Sequence, residues 1–232
     1  MWNKCWGLIA VTLASLLLTA PLARGEAAAS SPIPVYITPF YNSKGPEISV
    51  GKYSRQLASA DRQSIKAIVK AMQEEGRTLS VAAMYVASIR LYDLGYRDDA
   101  VRWFYAAQYR GRLFQTLLDR SKVGGIGSSA FELNSAHGAF QQLVGQFVNG
   151  YAGCDKDKWV AVLESVRSEN RSPPDLAAIY PSVGFLPAEQ WAVKNDEINT
   201  GLGKFVEHLN ANWPVMKAQR AKNNLDEKFC QP

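Results

Sequence analysis

Histidine, cysteine and long apolar runs are scarce in this sequence, and each scarcity closes off a class of function. Only His137, His208, Cys5, Cys154 and Cys230 are present among 232 residues. Cys154 and Cys230 stand far apart with no histidine beside them, so neither a metal nor any other cofactor is expected. No G-x-S-x-G elbow occurs, and the glycine cluster Gly124–Gly127 lacks the Lys-Ser/Thr ending of a phosphate loop. Asp155 and Asp157 lack the further oxygen ligands of a calcium loop. No catalytic residue therefore stands out. Beyond the first 25 residues no apolar run approaches the roughly 20 needed to span a bilayer. Neither sign of charge dominates, with 26 Lys and Arg against 21 Asp and Glu. At 47% hydrophobic and 20% charged residues, the composition is that of a globular chain and excludes disorder.

The N-terminus reads as an address. Lys4 precedes the apolar run Leu8–Leu18, and the small-residue stretch Ala20–Gly25 follows it. This is the order of a secretory signal peptide, residues 1–25, with cleavage after Gly25 or Ala29. The expected product is exported to the bacterial periplasm and soluble. Cys5 precedes the apolar run, which is the wrong place for a lipid-modified first residue. Cleavage leaves Cys154 and Cys230, an even count in an oxidising compartment, and predicts a disulfide between them. It also removes Lys4 and Arg24, so a chain from Glu26 has 24 basic and 21 acidic residues, a net charge of +3.

Residues 26–58 read as an extended arm, proline-rich from Ser30 to Gly51, with one short edge strand at Val35–Thr38. Residues 59–232 then read as one all-α domain of about seven helices. Ile65, Ile68, Val69 and Met72 mark an amphipathic helix capped by Asp61. Thr78 or Ser80 caps the next, ending at Gly95, and a third runs from Asp98 to about Ser121. A fourth spans about Ser128–Asn149, and Asp155 or Asp157 opens a fifth. A short helix follows Asp175. Helical sequence then runs from Pro187 to about Asn212, weakened by Gly201 and Gly203, with a last segment from Trp213 to Phe229. Gly138 and Gly145, on one face of the fourth helix, predict close packing by a neighbouring helix or a partner chain.

Within residues 83–111, Gly95 is followed by Ala100, Phe104 and Ala107 at offsets of five, nine and twelve. The pattern resembles the second half of a tetratricopeptide unit. It is similar also to a Sel1 unit through Tyr92, Gly95, Ala100, Trp103, Ala107 and Gly111. The resemblance covers about 29 residues and departs from the tetratricopeptide pattern at Met84 and Arg112. It implies a helix hairpin whose first helix would turn Tyr85, Ile89, Tyr92 and Asp93 toward a protein partner. Tyr85, Ile89 and Tyr92 equally have the i, i+4, i+7 spacing of a buried helix face.

Together these features predict an exported helical adaptor or binding protein, for instance an immunity or inhibitor protein that caps a secreted toxin. The alternative is a cell-wall or peptide hydrolase in the envelope, using acids such as Glu132, Glu164 or Glu169. A residual basic surplus around Arg90, Arg97, Arg102, Arg110, Arg112, Arg120 and Lys122 suits an acidic protein partner. Export makes nucleic acid an unexpected one.

Overall fold

The structure is a computed structural model that describes residues 50–59 and 61–231. The leader, the strand at Val35–Thr38 and most of the arm lie outside the described residues. Those described form an all-α domain: α1 (Ser54–Leu57), α2 (Arg62–Glu74), α3 (Val81–Asp93), α4 (Arg97–Leu117), α5 (Ser129–Ala152), α6 (Lys156–Glu169), α7 (Leu176–Ile179), α8 (Trp191–Lys222) and α9 (Leu225–Phe229). Among the described residues there is no strand, only an isolated bridge between Leu118 and Phe185.

Side-chain caps begin most of the longer helices. Asp61, Ser80, Ser128, Asp155 and Asp175 each accept from a backbone N–H of the first turn that has no partner inside the helix. Between α3 and α4 the chain reverses at Gly95, whose φ of +85° suits glycine. Gly95 N–H donates to the Tyr92 carbonyl at 3.0 Å and Tyr96 N–H to the Leu91 carbonyl at 2.8 Å, the paired bonds of a Schellman cap. The short turn folds α4 back along α3.

Helix α4 is the hub, in contact with α3, α5, α6 and α8. Ala100, Phe104, Ala107, Leu113, Phe114 and Leu117 are fully buried along it. Its N-terminal half belongs to the main core and its C-terminal end to a second cluster with Leu176, Tyr180 and Val183. Gly145 of α5 proves to be an internal packing site: an added Cβ would lie 3.4 Å from Phe104. Gly138 faces open space.

Three boundaries differ from expectation. Residues 51–57 are helical turns and not extended arm; Tyr53 and Leu57 are buried in the core, and that burial draws the segment onto the domain. Helix α4 stops at Leu117 and not near Ser121, because the Leu117 carbonyl accepts from Leu186 N–H at 2.8 Å as Leu118 turns extended. Helix α8 runs through Pro214 without ending near Asn212. Asn210, whose carbonyl loses its helical donor there, lies on the exposed face, where solvent can reach that carbonyl.

Candidate functional site

Three of the hairpin residues expected to meet a partner lie inside the fold. Tyr85, Ile89 and Tyr92 are only 1%, 2% and 3% exposed, so they form core and not a ligand surface. Helix α5 covers them: Tyr85 stacks on Phe140 at 5.3 Å, and Tyr92 meets the edge of Phe147 at 6.2 Å. Burial pushes both phenols above their ordinary pKa. Asp93 is half-buried and pairs with Arg90 at 3.5 Å. Arg90 also donates to the carbonyls of Leu57 and Ser59 and so ties down the first helical turn.

The chemistry-bearing candidates serve local structure. Glu132 accepts from Gly127 N–H, and Ser128 N–H donates to the Gly125 carbonyl, so these amides of the glycine cluster are already committed. Glu164 pairs with Arg167 and Glu169 with Arg102, each at 2.8 Å. His208 is exposed beside Asn212. His137 is buried with neither ring nitrogen bonded, wedged 4.8 Å from Phe114, and burial lowers its pKa to about 4. Ser135, two residues away, donates its hydroxyl to the Phe131 carbonyl. Among the described residues no group of three or more His, Cys, Asp or Glu is placed to hold a metal.

A cleft of about 690 Å³ opens where α4, α5 and α8 meet. Tyr105, Gln108, Tyr109, Arg112 and Gln115 line it from α4, Gln141 and Asn149 from α5, and Glu197, Gly201 and Phe205 from α8. The α4 residues recur at three- and four-residue steps, which is one helical stripe. Tyr105 donates to Asn149 Oδ1 at 2.8 Å and thereby fixes α4 to α5. Tyr109 donates to Asn195 Oδ1 at 3.0 Å and fixes α4 to α8. Burial raises the pKa of both phenols and keeps them protonated donors. Gly201 is exposed, and an added Cβ there would meet nothing within 4 Å. Four carboxamides can each donate and accept, which is the requirement of a peptide backbone. Arg112 forms no ion pair among the described residues, whereas Glu197 is held by Lys194 at 2.9 Å.

A second cleft, of about 340 Å³, lies between the end of α2, α3, α4 and the end of α6. Arg110 is 5% exposed at its edge and donates through Nη1 to the carbonyls of Gly76 and Leu79 at 2.7 and 2.8 Å. Burial lowers its pKa to about 10, reinforced by the charge of Arg77. Arg110 Nε and Trp103 Nε1 are buried without acceptors. Each such donor costs about 1–3 kcal/mol.

The C-terminus is locked to α5. Cys154 and Cys230 are joined in a disulfide with their Cα atoms 5.5 Å apart. Arg220, almost wholly buried, donates to the Gly150 carbonyl at 2.9 Å and to Asp226 at 2.8 Å. Arg110, a member of the basic surplus, and Arg220 thus both work inside the fold.

Neither cleft was legible beforehand, since each is assembled from helices distant in sequence. The available signals were the polar stripe on α4 and Gly201 inside a helix.

The domain is therefore a disulfide-closed helical body whose hub helix borders both of these clefts. The chain belongs to the same family as an uncharacterized protein of Haemophilus influenzae strain Rd. The two are 30% identical over 213 residues, covering 85% of this chain and 78% of the relative. No family model and no solved structure matches the chain.

Proposed function

We propose that this is an exported protein-binding or adaptor protein that seats a segment of another protein in the α4–α5–α8 cleft. The observation that carries the reading is the cleft itself: about 690 Å³, walled by carboxamides and tyrosines, with Arg112 unpaired among the described residues. Carboxamides match the alternating donors and acceptors of an extended chain, and tyrosines supply contact area at little loss of side-chain freedom. Arg112 suits an acidic side chain on the partner.

In this reading the α3–α4 hairpin is a tetratricopeptide- or Sel1-like unit whose inner face has been filled by α5. Contact with ligand passes to the stripe on α4 that faces α8. Export through the leader at residues 1–25, to a bacterial periplasm, is supported by the Cys154–Cys230 disulfide. No helix among the described residues is long and apolar enough to cross a membrane. A bacterial relative fits the same destination. The concrete version is an immunity or inhibitor protein that covers the working surface of a secreted toxin.

The test is affinity recovery from an envelope extract. A partner recovered at one-to-one stoichiometry, and released by Arg112→Glu, is the expected result. Turnover of peptidoglycan that survives purification and disappears on Glu132→Gln or Glu164→Gln would overturn the binding reading.

A further inference from the structure

The smaller cleft carries a separate site. Three guanidinium groups line it, those of Arg77, Arg102 and Arg110, together with the indole of Trp103. Two carboxylates line it as well, Glu74 and Glu169. Glu169 is occupied by Arg102 at 2.8 Å and by Ser165 at 2.8 Å. Arg77 donates to the Pro173 carbonyl at 2.7 Å. Arg110 has no carboxylate partner among the described residues, although it is one of the most buried charged side chains. A buried cation satisfied by neutral carbonyls alone keeps an unbalanced charge.

Trp103 and Arg110 stand seven residues apart on α4, two helical turns along one face, with Ala106 between them also lining the cleft. Their N–H groups at Nε1 and Nε are both buried and without acceptors. A buried cation without a carboxylate partner, beside a cavity that two further guanidinium groups line, defines a complement: a group that brings oxygen acceptors and negative charge.

We propose that this cleft binds a small molecule through an oxoanion group, a carboxylate or a phosphate, held by the Arg110 and Arg102 guanidinium groups beside the Trp103 indole. Arg102 exchanges Glu169 for the ligand as it enters. The volume of about 340 Å³ exceeds that of the anion alone and is at the lower end for small-molecule pockets. The site is independent of the protein-binding cleft, because the two share no lining residue.

The experiment is a proton–nitrogen NMR titration of the disulfide-intact protein with inorganic phosphate and, separately, sodium acetate. Sodium chloride at matched ionic strength is the reference. The Trp103 indole signal is assigned by its loss in Trp103→Phe. Saturable movement of the Trp103 and Arg110 Nε–H signals is expected, with binding about tenfold weaker in Arg102→Gln, as for a lost charge-assisted hydrogen bond. Arg102 is partly exposed, and an unchanged circular-dichroism spectrum and melting temperature of that variant show that the fold is kept. Tighter binding of phosphate identifies a phosphorylated ligand, and tighter binding of acetate a carboxylate. Movement no greater than with chloride, or affinity unchanged in Arg102→Gln, overturns the proposal.

Discussion

Replacing helical glycines by alanine separates an open cleft from a filled core. Glycine within a helix is disfavoured against alanine by about 1 kcal/mol, so each replacement begins with that gain. At Gly201 and Gly138 the new methyl meets nothing within 4 Å, and the gain is kept. Both variants should therefore be stabilised by about 1 kcal/mol, or roughly 2–4 °C in melting temperature for a domain of this size. At Gly150 the methyl would lie 2.6 Å from Phe229, which is buried and adjacent to the disulfide at Cys230. Phe229 can yield only by lifting α9, and overpacking of this kind costs about 1–3 kcal/mol. Gly150→Ala should lose up to about 2 kcal/mol net. Gly153→Ala, just past the end of α5 and so without the helical gain, drives the methyl into the Arg220 guanidinium and should also destabilise. The assay is urea unfolding of the disulfide-intact variants. A destabilised Gly201→Ala, or a stabilised Gly150→Ala, would refute the packing described and with it the open cleft.

Reduction of Cys154–Cys230 opens a loop of sequence separation 76, and the chain-entropy relation gives a loss of about 4.5 kcal/mol, read from unfolding with and without reductant. His137 takes a proton near pH 6.5 when unfolded but near 4 when folded. The unfolded chain therefore binds more protons between these values: stability is full above pH 6.5 and falls by up to about 3 kcal/mol toward pH 4. His137→Leu should flatten that part of the pH profile; an unchanged profile would contradict the burial. Arg220→Ala leaves the Gly150 carbonyl without its donor and should lower stability by about 2 kcal/mol in the same unfolding assay.

Local signals in the sequence carried the helices and not the site. Caps at Asp61, Ser80, Ser128, Asp155 and Asp175 act within three residues, and apolar periodicity acts within two turns, so both can be read along the chain. Pro214 misleads because its effect depends on whether the orphaned carbonyl meets water, which only the tertiary fold decides. Tyr85, Ile89 and Tyr92 have identical spacing whether a ligand or α5 covers them, and α5 begins more than 30 residues later. The two clefts need α4 to meet α2, α5, α6 and α8 at once, and no local pattern encodes that meeting.

The central claim, that the α4–α5–α8 cleft seats a protein partner, is tested most directly by photo-crosslinking in living cells. A photoreactive residue at Gln108, inside the cleft, is combined with Gly201→Trp, which fills it, or with Gly138→Trp, on an open face outside it. The account predicts one discrete adduct in the parent and in Gly138→Trp, and its loss in Gly201→Trp. An adduct that survives Gly201→Trp, or none from Gln108 in any background, would contradict it.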